Sequence, residues 1–299
     1  MSLNNYKILI LGANGLFGNI IFNYLNKNNF STWAGLSSKK DIKYFNKRKK
    51  IFYKKIFSKK SFKIFSKNID KNLKKNKFNF VINCIGHTIH QKNISYSKKL
   101  LINSYLPRLL SFFALKYNFK FIHLSSDCVF DGKKGNYKET DNPNSNTEYG
   151  KSKKFGEILN NLNTITLRTS GIGHSLYKNN CLLDWFLYQK NKKVYGYRNF
   201  YFSGPTTLEV AKVIKYIIET KKFKHGLFHI SSQRISKLNL LSKLNKIYNN
   251  NTIIIPKTVI KIDRSLNSSK FRKIYKYEFK NWNYLINDLK EFNENKIIQ

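Results

Sequence analysis

Tyr149 and Lys153 stand four residues apart, a spacing that puts a phenol and an ammonium on one face of a helix. Such a pair can deliver a proton to a developing alkoxide: the lysine lowers the cost of a tyrosinate, and the tyrosine hands its proton on. The spacing alone says little. With 19 Tyr and 49 Lys in 299 residues it arises by chance about three times, and it recurs at Tyr188 and Lys192. Context separates the two. The apolar run 119–124 upstream of Tyr149 ends in Ser125-Ser126-Asp127. The C-terminal end of a parallel strand is where open α/β sheets present reactive side chains. Ser126 can hydrogen-bond the oxygen that Tyr149 protonates. Ser126, Tyr149 and Lys153 therefore read as a carbonyl-reduction triad in which Lys153 also holds nicotinamide ribose hydroxyls.

A hydride donor is implied by a second motif. Gly12, Gly15 and Gly18 follow the strand-like run 6–11 and open a run with helical spacing at 16–25. Glycines there allow a tight turn, backbone contact with a diphosphate and close helix-to-strand packing. With 14 Gly in the chain, three at this spacing arise by chance about 0.03 times. Gly12, Asn14, Gly15, Leu16, Phe17 and Gly18 are the expected cofactor contacts, joined by Cys84, Ile85 and Gly86 after the next clear strand. No Lys-Ser or Lys-Thr follows Gly18, which argues against a triphosphate-binding loop. About 20 positions after the glycines, where NAD sites carry a carboxylate, stand Ser37, Ser38, Lys39 and Lys40. Ser37 and Lys39 favour a 2′-phosphate, so NADPH is the expected cofactor and NADH the alternative. The competing explanation for Lys39 and Lys40 is the lysine content of the whole chain.

These motifs need a scaffold. Strand-like runs at 6–11, 78–85 and 119–124 alternate with helical patterns at 16–25 and 97–117, which predicts βαβ units in a doubly wound parallel α/β sheet. One strand and one helix are expected within the Lys- and Phe-rich stretch 39–77. Beyond it, strands are expected at 164–168 and 227–231, and helices at 181–189, 208–220, 236–248 and 281–292. This divides the chain into a Rossmann-type nucleotide domain at 1–166 and a smaller, mainly substrate-binding α/β domain at 167–299, with some segments returning to the first sheet.

Composition narrows the class further. The net charge of +40 rests on 56 basic residues, of which seven are Arg. Lys, Asn, Ile, Tyr and Phe all have A/T-rich codons, so genome bias accounts for the lysines. They are spread along the chain without an Arg cluster or a nucleic-acid-binding signature, and salt-sensitive attraction to polyanions is the expected consequence rather than specific nucleic-acid recognition. The three cysteines do not form a disulfide framework. There is no run of eighteen apolar residues and no basic-then-apolar leader, so a cytoplasmic protein without membrane insertion is expected. Cys84, His87 and His90 lack a fourth ligand, and no metal is expected.

The run Ser125-Ser126-Asp127-Cys128-Val129-Phe130-Asp131-Gly132, followed by Tyr137, Glu139, Pro143, Tyr149-Gly150-Lys151-Ser152-Lys153 and Gly156-Glu157, resembles the dTDP-4-dehydrorhamnose reductases of the short-chain dehydrogenase superfamily. The segments 81–84 and 167–170 and Asn103 match as well, and 263–266 resembles a late family motif. The family's usual run is Ser-Thr-Asp-Tyr-Val-Phe-Asp-Gly, so Ser126 replaces a Thr and Cys128 a Tyr. After 167–170 the family commonly has Trp-Val-Tyr-Gly, where this chain has Gly171-Ile172-Gly173-His174. The resemblance implies reduction of the 4-keto group of a nucleotide-linked deoxysugar for cell-surface polysaccharide. It makes Asp127, Cys128, Val129, Phe130, Trp185 and Arg264 the expected substrate contacts. Arg264 would grip the substrate diphosphate or else pair with Asp263. Asp127 is followed by Cys128 rather than Glu, which disfavours the related dehydratases. A UDP-sugar reductase or epimerase with the same triad, and a non-catalytic regulatory subunit on the same fold, remain alternatives, and a homodimer is compatible with all three.

Overall fold

The computed structural model describes residues 6–45, 49–52, 58–88, 94–177, 181–220, 223–259 and 261–297. Strand β1 (Lys7–Leu11) leads into helix α1 (Leu16–Lys27), β2 (Ser31–Leu36), a 3-10 segment (Lys39–Phe45), β3 (Lys49–Phe52), α2 (Lys59–Asn76) and β4 (Phe80–Asn83). Next, α3 (Tyr96–Leu100), a π turn (Leu101–Tyr105) and α4 (Leu106–Lys116) run on as one helical stretch, followed by β5 (Lys120–Ser125), α5 (Glu148–Phe155), β6 (Thr164–Arg168) and α6 (Leu182–Leu187). The remainder comprises β7 (Lys193–Tyr197), β8 (Phe200–Phe202), α7 (Thr207–Glu219), β9 (Gly226–His229), β10 (Ile235–Ser236), α8 (Lys237–Tyr248), β11 (Ile253–Lys257), β12 (Ile262–Asp263), α9 (Ser269–Tyr275) and α10 (Trp282–Ile297).

Seven strands form one parallel sheet in the order β3-β2-β1-β4-β5-β6-β9, the doubly wound arrangement. Its strands alternate by side as a two-residue period requires, and both sides are apolar because helices cover both. Ile8 and Ile10 join Ile21 of α1 and Ile214 of α7 in one core layer. Leu9 and Leu11 join Phe65, Ile69 and Leu73 of α2 and Leu106 and Leu110 of α4 in the other. In α2, the lysine-rich helix, Phe65, Ile69 and Leu73 recur every four residues, so one buried stripe survives among the charges. Ser58 and Ser61 close a reciprocal cap at its start.

Sequence reading found the strand and helix within 39–77 but passed over β2, whose Ser, Thr, Trp, Ala and Gly make no apolar run. After β6 the strands are short and form two small sheets, β10-β8-β12 and β11-β7. The chain places β9 in the large sheet beside β6. Chain order reverses between β1 and β4, which lie side by side, and the C-terminal ends of β1, β4, β5 and β6 share one edge of the sheet. That edge is where an open α/β sheet forms its crevice.

Candidate active site

At the end of β1, Gly12 takes a left-handed φ of 75°, and a Cβ there would meet the Ile85 backbone nitrogen at 3.0 Å. The turn thus lies against the loop after β4. Gly18 is a harder constraint: its Cβ would stand 2.1 Å from the Gly12 carbonyl oxygen. Only glycine lets α1 start so close to β1. Helix α1 begins at Gly15 with no side-chain cap, so its first N–H groups point outward as a ready anion site. The residues present fit a dinucleotide diphosphate.

The loop after β4 is held from behind. Asn103, in the π turn, accepts the His87 N–H at 2.9 Å and donates to the His87 carbonyl at 3.1 Å and to Ser152 Oγ at 3.0 Å. One side chain therefore ties the cofactor-side loop to α5, the helix that carries Tyr149 and Lys153. Ser104 Oγ adds a bond to the Ser152 carbonyl at 2.7 Å. The sequence marked Asn103 only as a match; its role depends on a contact between residues 49 positions apart.

Helix α5 is capped by Thr147, whose hydroxyl accepts the Gly150 N–H at 3.0 Å. A Cβ on Gly150 would lie 2.3 Å from the Cys128 carbonyl oxygen. The missing side chain brings the first turn of α5 onto the segment after β5, and the Tyr149 phenol comes within hydrogen-bonding reach of Ser126. Ser126 Oγ also accepts the Cys128 N–H at 3.1 Å, which fixes its rotamer. Burial pushes the Tyr149 phenol well above its usual range, with the neighbouring Cys128 and Asp127 adding to the rise and the Ser126 hydrogen bond opposing it. Tyr149 is therefore held protonated.

Lys153 lies one turn further along and donates to the Leu124 carbonyl at 2.7 Å. Burial lowers its ammonium to about 8, opposed by the carboxylate of Glu157 and by Cys84. The sequence argument had Lys153 easing a tyrosinate. Here Lys153 is engaged on the Leu124 carbonyl and the phenol is not lowered, so the arrangement suits Tyr149 as an acid and Lys153 as a holder of ribose hydroxyls.

Beneath these groups runs a buried ion pair. Arg168 binds Glu157 through two bonds of 2.7 Å each, with side chains 3% and 5% exposed. Ser125 Oγ donates to the same Glu157 at 2.7 Å, and His229 Nε2 lies 3.3 Å from the guanidinium. Burial and the Arg168 charge lower His229 to about 3, so it stays neutral. His123 is likewise depressed by burial, then by Lys153, and its Nδ1 lies 3.2 Å from Asn83 Nδ2. Both behave as packed histidines.

The expected substrate contacts divide. Asp127 is buried beside Ser126, and burial raises its carboxyl, with Arg264 among the groups that oppose the rise. Cys128 is also close, its thiol pushed up by burial to about 12. Val129 and Phe130 are fully buried with Tyr137 and Leu266, and Phe130 stacks on Tyr137 at 4.0 Å between centroids. Their side chains brace the wall from behind. Trp185 is 39% exposed on α6, and among the described residues no hydrogen bond or ring contact ties it to the catalytic groups. Arg264 does not pair with Asp263, which binds Arg234 at 2.7 Å; its Nε donates to the Phe130 carbonyl at 3.2 Å. The segment 171–174 is pinned elsewhere: His174 bridges Asp184 at 3.0 Å and the Tyr248 hydroxyl at 3.1 Å.

On the cofactor side, Ser37 and exposed Lys39 lie at the end of β2 and the start of the 3-10 segment. The sequence missed Asp41, which is 4% exposed. It accepts Asn14 Nδ2 of the glycine turn at 2.7 Å and the Tyr177 hydroxyl. His90 lies outside the described residues, and among those described no three His, Cys, Asp or Glu side chains converge as a metal set. No described helix is long and apolar enough to cross a membrane.

Comparison with known proteins agrees with this fold. A dTDP-4-dehydrorhamnose reductase from Aggregatibacter actinomycetemcomitans is 33% identical over 165 residues, 52% of this chain and 56% of the relative. The chain thus matches little more than half the length of that relative. A solved structure of a hypothetical dTDP-4-dehydrorhamnose reductase from Sulfolobus tokodaii superposes with a TM-score of 0.73 at 25% identity, covering 92% of this chain and 97% of that one. The Bacillus anthracis dTDP-4-dehydrorhamnose reductase solved in complex with NADP shares the fold at a TM-score of 0.77 and 18% identity, covering 97% and 99%. The family described as RmlD substrate binding domain matches residues 6–287, nearly the whole chain, and the protein belongs to it.

Proposed function

We propose that this protein reduces the 4-keto group of a nucleotide-linked deoxysugar, dTDP-4-dehydrorhamnose first among them, with NADPH as the reductant. The product would serve cell-surface polysaccharide synthesis. The observation that carries the reading is that Ser126, at the end of β5, acts on the Tyr149 phenol, while Lys153 of the same helix holds the Leu124 carbonyl of β5 and the glycine turn lies against the loop after β4.

In this mechanism the uncapped start of α1 holds the cofactor diphosphate, and Lys153 offers its remaining N–H groups to the nicotinamide ribose. Bound there, the dihydronicotinamide supplies the hydride. Ser126 donates to the substrate carbonyl oxygen and orients it. As negative charge grows on that oxygen, Tyr149 gives up its proton. Its raised pKa suits this role: the phenol stays protonated until a stronger base, the alkoxide, forms beside it.

The test is NADPH oxidation, followed by absorbance, with dTDP-linked and UDP-linked 4-keto sugars in parallel. Turnover confined to the dTDP sugar is the expected outcome. NADPH binding without turnover of either sugar would overturn the reading.

One observation favours NADH as the second reading. Asp41 puts a carboxylate against Asn14, where an adenosine ribose hydroxyl could be accepted and a 2′-phosphate would be repelled. If it acts this way, Asp41→Asn raises affinity for NADPH relative to NADH by about tenfold, the size of one charge-assisted hydrogen bond. An unchanged ratio, measured by fluorescence titration, returns the site to NADPH.

A further inference from the structure

The small sheet β10-β8-β12 delivers two cations to the substrate side of the cleft. Ser236 of β10 and Asp263 of β12 both pair with Tyr201 of the central strand β8, from opposite sides. The residues that follow them, Lys237 and Arg264, therefore leave the sheet on either flank of β8. The Lys237 ammonium sits 4.1 Å from the centre of the Phe200 ring, and the Arg264 backbone N–H bonds the Tyr201 carbonyl at 3.0 Å. Arg264 reaches the segment after β5, and the charges of Asp127 and Cys128 in that segment act on Lys237. Arg264 Nε donates to the Phe130 carbonyl, and the Arg264 charge acts on Asp127, Cys128 and Lys237 alike.

Their pairing differs from that of the neighbouring cation Arg234. Among the described residues neither forms an ion pair, although the third cation of the same sheet does: Arg234 is bound to Asp263 at 2.7 Å and stacked 3.4 Å from the Tyr201 ring centre. Lys237 is mostly buried, and burial together with the Arg264 charge lowers its ammonium. Asp127 is the carboxylate whose charge acts on both, and its own burial raises its carboxyl. Two like charges brought together out of water are costly unless an anion joins them. Groups perturbed in this way, in a cleft beside a catalytic pair, mark a ligand site.

We propose that Lys237 and Arg264 form a two-pronged clamp for the diphosphate of a nucleoside-diphosphate sugar, and that Lys237 is a substrate-binding residue of this enzyme. The proposal rests on the nucleotide-sugar reading above and adds the residue that the sequence did not suggest. The ligand needs at least two negative charges close together, and it must lie near Ser126 and Tyr149 so that an attached sugar reaches them. A diphosphate ester meets both demands. The cofactor diphosphate is bound separately, at the start of α1. Phe200 holds the Lys237 ammonium by its ring face and keeps it in the cleft.

The test uses the full-length protein with dTDP, inorganic pyrophosphate and thymidine as probes, followed by calorimetry, and NADPH as the control ligand. Lys237→Met is expected to weaken dTDP and pyrophosphate binding by about tenfold to a hundredfold, the range of a charge-assisted hydrogen bond, with NADPH affinity unchanged. Lys237→Arg restores most of the loss, which a purely structural role would not predict. Combined with Arg264→Met, the two losses fall short of additive because both prongs hold one group. In turnover, Lys237→Met raises KM for the sugar nucleotide and leaves kcat nearly intact. Wild-type dTDP and pyrophosphate affinity in folded Lys237→Met overturns the clamp, even if the sugar is reduced. Lys237-dependent pyrophosphate binding without turnover of any dTDP or UDP sugar keeps the clamp and overturns the substrate reading instead.

Discussion

The floor of the cleft and its substrate-side mouth treat charge in opposite ways. In the floor, Arg168 and Glu157 neutralise one another through two bonds, Ser125 and His229 take up remaining polar positions, and Phe130 lies 5.1 Å from the guanidinium carbon. At the proposed mouth, Lys237 and Arg264 form no ion pair among the described residues. A closed network holds β5, β6 and the start of the segment after α5 in one arrangement, so Ser126 is already in place when substrate arrives. An open pair of cations is completed by what binds. On the proposed reading, the position of the reacting groups is settled within the protein, while affinity for the substrate is left to charges that gain their partner on binding.

The largest effect should come from breaking the floor. Arg168→Met leaves Glu157 buried without its partner, which costs about 3–5 kcal/mol of stability. The check is urea unfolding: a lowered midpoint with an unchanged slope is expected, and a loss below about 1 kcal/mol would mean that the network is less closed than its geometry indicates.

Lys153 borders the floor, where the Glu157 carboxylate acts on it, and sharpens the contrast through pH. Its folded value of about 8 lies below the unfolded value of 10.5, so its charge opposes folding below about pH 8. The penalty fades as pH rises from about 8 towards 10.5, a gain of up to about 3 kcal/mol. Against Lys153→Met, the wild type should therefore gain relative stability across that window. Parallel unfolding curves for the two proteins would contradict it.

The glycine turn tests steric closure rather than charge. Gly18→Ala forces a methyl to within 2.1 Å of the Gly12 carbonyl oxygen, and α1 must shift. A stability loss of about 1–3 kcal/mol and weakened dinucleotide binding are expected, read by thermal unfolding and fluorescence titration.

The contrast also explains what could be read in advance. Gly12, Gly15 and Gly18 were legible because a turn that approaches a diphosphate and packs a helix onto a strand restricts residue type at fixed spacing. Tyr149 and Lys153 were legible because helical periodicity joins them. Asp41 was not, since it lies beyond the usual distance from the glycines and comes back to Asn14 through the 3-10 segment. The sequence left Arg264 either gripping the substrate diphosphate or pairing with the adjacent Asp263. In extended chain neighbouring side chains point to opposite sides, and Asp263 turns to Arg234 instead. Lys237 gave no local signal among 49 lysines; it stands out only because β8 pairs with both β10 and β12, the strands that Lys237 and Arg264 follow. The strands that do this are two or three residues long, too short for alternation to mark them.

The most direct test of the account is turnover of dTDP-4-dehydrorhamnose with NADPH by wild type and Tyr149→Phe, with NADPH affinity measured on both. The account predicts a loss of rate of about 10²–10⁴-fold in the variant, the contribution of a positioned proton donor, with NADPH binding intact. A variant that turns over at the wild-type rate would contradict it, because the proton would then come from a group other than the phenol that Ser126 and Gly150 hold in place.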